Sequence, residues 1–135
     1  MLLAVDLSSS PTGDAELQPA YTLQRGIPYC TTPVAVGDRL YFVMDNGAAG
    51  CLDVKSGKTV WSDRLGSPHS ASPVYAHGVL FFLSESGEVN VTKPGDRLER
   101  VANFKLSDRF LSTPAVADGK MYLRGDSYLW CIGAK

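Results

Sequence analysis

Short apolar runs separated by turn residues recur along this chain. Three runs, at residues 40–43, 79–83 and 121–123, are apolar at nearly every position. Each follows a turn that contains glycine: Gly37-Asp38, His77-Gly78 and Asp118-Gly119. Apolar runs of this length between turn residues are typical of buried strands. No stretch has a helical period, and glycine or proline interrupts almost every window of ten residues, so the pattern predicts an all-β fold.

The pattern repeats with a period of 40 to 41 residues. Pro33, Pro73 and Pro114 follow this period, and each precedes a short apolar strand. Other pairs at the same spacing are Tyr21 and Trp61, Gly26 and Gly66, Leu65 and Leu106, and Gly78 and Gly119. Short strands at this period predict the four-stranded antiparallel blades of a β-propeller. Since proline is tolerated at the start of a strand, we expect the three prolines near the start of the innermost strands.

The repeat divides the chain into one propeller segment over residues 1–135. Residues 1–25 supply the outer half of a blade, residues 31–66 and 71–107 each supply a complete blade, and residues 112–132 supply a last blade of three strands. Propellers have roughly 4 to 8 blades, so the smallest ring needs on the order of 160 residues. The sequence therefore predicts three to three and a half blades that cannot close a ring alone, as the C-terminal part of a longer propeller.

One hairpin in the first complete blade carries a distinctive set of residues. Cys51-Leu52-Asp53-Val54 is followed by the turn Lys55-Ser56-Gly57-Lys58 and by a second strand that contains Trp61. Asp53 and Ser56 can hydrogen-bond the turn backbone, and Gly57 allows the positive φ that the turn needs. Tyr21 occupies the Trp61 position of the preceding repeat, whereas Ala102 occupies it in the next one, where Lys93-Pro94-Gly95-Asp96 replaces the Ser-Gly turn.

This hairpin resembles the signature of the PQQ-like (pyrroloquinoline-quinone-like) β-propeller repeat, in which a small residue, Asp, Thr or Ser, Gly and Trp recur at fixed spacing. Cys51, Asp53, Ser56, Gly57 and Trp61 match it here. The resemblance implies that Asp53, Ser56, Gly57, Trp61 and Tyr21 form a structural motif that docks neighbouring blades. The family includes both a propeller lipoprotein of the outer-membrane β-barrel assembly machinery and the quinoprotein alcohol dehydrogenases. The resemblance thus implies a bacterial cell envelope, periplasmic or secreted location.

Composition excludes two kinds of partner. The net charge is −1 and 20% of the residues are charged, so no field favours nucleic acid. The nearest approach to a basic patch is interleaved with acidic residues: Arg97, Arg100, Lys105 and Arg109 alternate with Asp96, Glu99 and Asp108, as on a solvated mixed-charge face. No apolar run approaches the ~20 residues that span a bilayer.

Cys30, Cys51 and Cys131 have no metal-site spacing, and we interpret them as small buried hydrophobes.

Four candidate chemical motifs have simpler structural explanations. Ser56-Gly57-Lys58-Thr59 resembles the end of a phosphate-binding loop, but Leu52 stands where that loop needs glycine. His69 and His77 lie on predicted loops without a third metal ligand, so we expect them to be solvated. Arg124-Gly125-Asp126 fits a hairpin turn, and the sequon Asn90-Val91-Thr92 falls inside a predicted strand.

A quinoprotein would need a Ca²⁺ site of carboxylate and amide oxygens, an aspartate base and usually a vicinal Cys-Cys pair, and this sequence has no such pair. Its aspartates fall at predicted turns, and Trp61 and Trp130 are expected to pack between strands. We therefore predict a non-catalytic scaffold for protein or ligand interaction, with no catalytic, cofactor-binding or metal residues. The alternative is a fragment of a quinoprotein-type dehydrogenase whose active site lies outside this chain.

The expected partners are the remaining blades of the propeller, or further copies of the chain that associate through open blade faces. Leu3 and Val5 at one end, and Tyr122 with the Trp130 segment at the other, are expected to form the apolar patches.

Overall fold

In a computed structural model, residues 1–6 and 18–133 are described, and they contain thirteen strands and no helix. The strands are β1 Leu2–Val5, β2 Pro19–Leu23, β3 Val34–Val36, β4 Arg39–Val43, β5 Ala48–Asp53, β6 Thr59–Arg64, β7 Val74–Ala76, β8 Val79–Leu83, β9 Glu88–Lys93, β10 Glu99–Lys105, β11 Ala115–Ala117, β12 Lys120–Arg124 and β13 Leu129–Gly133. These described residues therefore contain no helix that could cross a membrane.

The strands form four antiparallel sheets in chain order. The first sheet pairs β1 with β2, the second has the order β3-β4-β5-β6, the third β7-β8-β9-β10, and the fourth β11-β12-β13. Every pairing is antiparallel and joins consecutive strands. This arrangement confirms the all-β fold class and a propeller segment whose ring is not closed. The exact residue boundaries of the blades stay a prediction.

The three repeated prolines precede the first strand of successive sheets. β3, β7 and β11 begin at the residues that follow Pro33, Pro73 and Pro114. Proline has no backbone N–H to donate to a neighbouring strand, so it is tolerated at the start of a strand, where that donor is not needed. The first strands of the second and third sheets also approach each other, as expected for innermost strands around a common axis.

Hydroxyl groups link the starts of these inner strands from sheet to sheet. The Thr32 N–H donates to Ser72 Oγ at 2.8 Å, and the Ser72 N–H donates to Thr113 Oγ1 at 2.9 Å. All three residues immediately precede the repeated prolines. The same hydrogen bond therefore occurs at both steps from the second sheet to the fourth, with a donor from one sheet and an acceptor from the next.

Two apolar cores lie between the sheets. The core between the second and third sheets contains Tyr41, Val43, Ala49, Cys51, Leu65, Leu80 and Phe82. The core between the third and fourth sheets contains Ala71, Leu83, Val89, Val91, Phe110, Met121 and Leu123, with Trp130 and Ile132 packed against it. Alternate side chains on β8 point to opposite faces, so this strand contributes to both cores.

The outer faces of the first and fourth sheets are exposed. Leu3 is 52% exposed and Leu129 is 70% exposed. Leu3 and Val5 lie on the exposed side of β1 as predicted. Trp130 itself packs toward the third sheet, whereas its neighbours Leu129 and Cys131 occupy the exposed side of β13.

Two expectations from the sequence are wrong. His69 was expected to be a solvated loop residue but is 0% exposed, because the connection from β6 to β7 folds inward; His77 is exposed as expected. Among the cysteines only Cys51 is buried, while Cys30 and Cys131 are exposed. Cys131 occupies the position of Cys51, since each pairs with a tyrosine on the preceding strand, but no described sheet covers it.

Candidate functional site

The signature hairpin between β5 and β6 is closed by Asp53. Asp53 Oδ1 accepts hydrogen bonds from the Ser56 N–H at 2.9 Å and the Ser56 hydroxyl at 2.7 Å. The Gly57 N–H donates to the Asp53 carbonyl, and the Asp53 N–H donates to the Lys58 carbonyl, both at 2.9 Å. The Ser56 hydroxyl and backbone bonds, with the nearby Arg39, hold the pKa of Asp53 below its usual value against a smaller opposing effect of burial.

Tyr21 of the first sheet covers this turn. Gly57 has φ +67°, and a Cβ built there would lie 2.5 Å from the Tyr21 ring. Glycine is therefore required at position 57 for two reasons: its backbone is left-handed, and the Tyr21 ring approaches too closely to leave room for a Cβ. The structure thus brings together four of the predicted motif residues, Asp53, Ser56, Gly57 and Tyr21.

Trp61 lies elsewhere, because it reaches forward to the third sheet. Its Nε1–H donates to the Gly95 carbonyl at 3.1 Å. The Gly95 N–H donates in turn to Tyr41 Oη at 2.8 Å, and the Tyr41 and Trp61 ring centroids are 6.2 Å apart. Two aromatic side chains of the second sheet therefore bind both backbone polar groups of one residue, Gly95, in the turn between β9 and β10. Burial raises the pKa of the Tyr41 phenol, and the bond with Gly95 partly offsets this.

An arginine extends the same contact on its polar side. Arg39 Nη1 lies 3.2 Å from Asp53 Oδ2, and Nε and Nη2 donate to Asp96 Oδ1 at 2.9 and 2.8 Å. One guanidinium thereby connects the signature aspartate to the next sheet. Its fork of donors suits this double role.

Sequence reasoning missed Arg39, Tyr41, Gly95 and Asp96 as members of this contact. Asp96 was placed on a solvated mixed-charge face, but it receives Arg39 from the second sheet. The available signal was register: Tyr41 pairs with Cys51, which pairs with Trp61, so the three side chains lie in one row on one face.

The Asp108 carboxylate makes a similar set of hydrogen bonds to the fourth sheet. Its carboxylate accepts hydrogen bonds from the Ser127 and Tyr128 N–H groups and, at 3.1 Å, from Trp130 Nε1–H. Burial works against the charged form most strongly of any single effect, yet these bonds and the Arg109 N–H together lower the pKa of Asp108. Asp108 was also assigned to a solvated mixed-charge face but is half-buried, whereas the Asp96 side chain is 75% exposed, as that assignment expected.

The remaining motifs have structural positions. Gly125 and Asp126 belong to the turn between β12 and β13, where the Gly125 N–H donates to the Tyr128 carbonyl. Asn90 and Thr92 are buried within β9. His69 Nδ1 lies 2.7 Å from the Ser67 carbonyl, and burial lowers the pKa of its imidazole, while Nε2 is unpartnered.

Among the described residues, no three His, Cys, Asp or Glu side chains converge as metal ligands would. The most engaged carboxylates, Asp53 and Asp108, accept hydrogen bonds from nearby turns. The site that this part of the chain builds is a contact between blades.

Sheets of this order, joined through such a signature, define a segment of a PQQ-like β-propeller repeat protein. The chain belongs to the family described as outer membrane protein assembly factor BamB, whose family model matches residues 7–99. A relative of that name from Burkholderia pseudomallei is 35% identical over an aligned length of 129 residues, and the match covers 88% of this chain and 33% of the relative. The chain thus spans about a third of the length of the curated relative that it matches.

Solved structures show the same fold. BamB from Moraxella catarrhalis matches with a TM-score of 0.60 and 11% identity over 69% of this chain and 28% of that chain. A quinohemoprotein alcohol dehydrogenase from Pseudomonas putida matches with a TM-score of 0.59 and 17% identity over 78% of this chain and 18% of that chain. At these identities the likeness concerns the fold alone.

Proposed function

We propose that this chain is a non-catalytic propeller segment that serves as a rigid scaffold for protein partners in outer membrane protein assembly, in the bacterial cell envelope. The observation that carries the proposal is the 35% identity over 129 residues to a protein named as an outer membrane protein assembly factor. Fold alone would not support it, because propellers of this class also form dehydrogenases.

The polar contacts described above support a scaffold role. Arg39, Asp53, Tyr41 and Trp61 direct their polar atoms into the joint between the second and third sheets. Side chains engaged in this way stabilise the relative positions of neighbouring blades. We infer that Asp53, Ser56, Gly57, Trp61 and Tyr21 act as the blade-docking motif, and that partners bind at loops on the edge of the propeller.

One set of loops at the edge of the propeller is joined by backbone hydrogen bonds, so these loops form an ordered surface for a partner. The His69 N–H donates to the Asp45 carbonyl and the Phe110 N–H to the Glu85 carbonyl, which ties each blade-to-blade connection to the turn between the second and third strands of a sheet. We call these connections and turns the loop rim. The loop rim exposes Leu111 and Tyr128, and it also includes Tyr29, which is 92% accessible and whose N–H donates to Asp45 Oδ1 at 3.2 Å. Exposed tyrosines on ordered loops are common contact residues in protein interfaces.

Site-specific photo-crosslinking tests the proposal. A photoreactive amino acid at Tyr29 or Leu111, in the protein expressed from its complete gene, should give adducts with a component of the outer membrane assembly machinery. The matched control is Lys55, which is exposed on the hairpin that leads into β6, away from the loop rim. Equal adducts from all three positions, or none containing an assembly component, would contradict the proposal.

Part of a quinoprotein dehydrogenase is the alternative, and it makes a distinct prediction. Pyrroloquinoline quinone titrated with Ca²⁺ should leave the quinone absorbance unchanged if the chain is a scaffold. Saturable micromolar binding with dye-linked alcohol oxidation would favour the dehydrogenase.

A further inference from the structure

The connection between β6 and β7 buries a histidine where the next connection buries a phenylalanine. Residues 65–73 form this connection, and the His69 N–H donates to the Asp45 carbonyl in the turn between β4 and β5. One step further along, the Phe110 N–H donates to the Glu85 carbonyl in the turn between β8 and β9. The two residues are separated by one period of the repeat, and both are 0% exposed. They therefore occupy equivalent positions in successive connections.

The fold needs a buried ring at this position, but not one that titrates. Phe110 belongs to the core between the third and fourth sheets, and its ring centroid is 6.4 Å from that of Trp130. An apolar ring thus satisfies the packing of the position at that step. The imidazole of His69 adds a property that the packing does not require, because histidine is the side chain that ordinarily changes charge near neutral pH.

The hydrogen bonds of His69 decide which nitrogen takes up a proton. Nδ1 lies 2.7 Å from the Ser67 carbonyl oxygen, which can only accept, so Nδ1 carries the hydrogen of the neutral ring. Nε2 is therefore the basic nitrogen, and it is buried without a hydrogen-bond partner among the described residues. A proton added there creates a buried charge and an N–H without an acceptor. Both favour conformations in which the ring reaches water.

The charged groups around His69 do not remove this cost. Those on the elements packed around the connection are Glu85 and Glu88 at the turn that joins β8 to β9, Asp45 and Arg109. All four side chains make hydrogen bonds or ion pairs with residues other than His69. Residues 65–73 themselves contain no charged side chain besides His69 when it is protonated. The two glutamates favour the imidazolium, but burial has the larger effect and lowers the pKa of His69.

The connection is placed so that it can move without the sheets. Gly66 and Pro68 are exposed, so its backbone lies at the surface although the imidazole points inward. We propose that acidification opens this connection locally: protonation at Nε2 draws the imidazolium of His69 into water and breaks the backbone bonds that tie residues 65–73 to the turns of the second and third sheets. The equivalent connection at Phe110 has no titratable ring and stays closed.

The loop rim therefore contains one joint that responds to pH and one that does not. Any effect of the opening on partners rests on the proposed function, whereas the opening itself is a property of the chain alone. Its direction follows from proton linkage. Because burial lowers the pKa of His69 in the closed connection, the closed state is fully favoured above the ordinary histidine value of about 6.5 and loses this advantage as the pH falls toward the lowered value.

Hydrogen exchange followed by mass spectrometry tests the proposal on the protein expressed from its complete gene. Exposure times are corrected for the intrinsic effect of pH on exchange. Between pH 7.5 and 5.5, residues 65–71 should lose about five- to tenfold of their protection, and residues 106–112 less than about twofold. The two segments are matched, because each also begins with a leucine whose N–H donates to the carbonyl of a turn glycine. Equal changes in both segments, or none in either, would overturn the proposal.

Variants assign the response to His69. His69→Phe introduces the residue found at the equivalent position, so it should keep the protection of residues 65–71 at pH 7.5 and reduce the acid response to less than about twofold. If this variant does not fold, His69→Gln serves instead, since its side chain is neutral at both pH values. His77→Gln is the control at an exposed histidine and should respond as wild type does. A full acid response in a folded His69 variant would sink the idea.

The strand amides of β8 distinguish a local opening from unfolding of whole sheets. They should exchange at least about tenfold more slowly than residues 65–71 at both pH values, because a local opening leaves the sheet intact. Equal exchange rates would mean that the sheets open together, which would contradict a local opening. No partner is present in this experiment, so its result is separate from the crosslinking result at the loop rim.

Discussion

Trp61 donates its indole N–H to the carbonyl of Gly95 at 3.1 Å, across the boundary between two sheets and 34 residues further along the chain. The Gly95 N–H is bound by Tyr41 from the same side. A residue whose N–H and C=O are both hydrogen-bonded to the neighbouring sheet fixes the position of the turn on which it lies. The signature tryptophan therefore makes a specific contact between sheets, and this contact is expected to contribute to the free energy of folding.

Trp61→Ala should therefore destabilise the full chain by about 2–4 kcal/mol, toward the lower part of the range for large aromatic residues because the ring is only partly buried. Trp61→Phe is the control: it retains ring contact with Tyr41 and loses the bond to Gly95, for a cost of about 1 kcal/mol. Chemical denaturation measures both. An alanine variant within about 0.5 kcal/mol of wild type, as at a surface site, would contradict the docking role.

Gly87→Ala should be much more destabilising than Gly78→Ala, although both glycines have φ near +80°. A Cβ at Gly87 would overlap the Leu106 carbonyl of the connection that crosses this turn, and it would lie 2.8 Å from the Asp108 carbonyl. A Cβ at Gly78 meets nothing within 4 Å. Gly78→Ala should cost about 1 kcal/mol from backbone strain, and Gly87→Ala a further 1–3 kcal/mol or so from overpacking. Comparable melting temperatures for the two variants would show that the connection moves freely.

Stability should fall as the pH drops below about 6.5, the ordinary value for histidine, because of His69. Burial lowers the pKa of His69 in the folded protein, so the unfolded chain takes up the proton first. The contribution is fully present above the unfolded pKa and is lost as the pH falls through the folded pKa. Thermal melts between pH 7.5 and 5 should show a smaller decline for His69→Gln than for wild type. His77→Gln, at an exposed position, should decline as wild type does; if His69→Gln does too, His69 is not the responsible group.

Residues 1–135 expressed alone should self-associate through the exposed outer faces. Leu3 and Leu129 lie on two such faces, and exposed apolar patches of this kind usually mark an interface. Leu129→Lys should lower the association constant measured by light scattering, since it places a charge on the outer face of the fourth sheet. Tyr29→Ser is the control, because it removes an even more exposed large side chain from the loop rim. A stable monomer at ~100 μM with a cooperative melt would contradict this prediction.

The repeat, the thirteen strands and the signature hairpin followed from the sequence by itself, because they depend on local rules. Strand alternation, turn glycines and the self-contained Asp53–Ser56 bonds all act within a few residues. The prolines before β3, β7 and β11 are readable for the same reason.

Only the tertiary structure showed which residues join the sheets. Arg39 and Asp96 are 57 residues apart, and each alone has the character of an ordinary surface charge. Their pairing depends on how far one twisted sheet is rotated against the next, which no local pattern records. His69 is buried for a related reason: its connection is hydrogen-bonded to turns of two sheets, through the His69 N–H to the Asp45 carbonyl and through the Pro68 carbonyl to the Glu85 N–H.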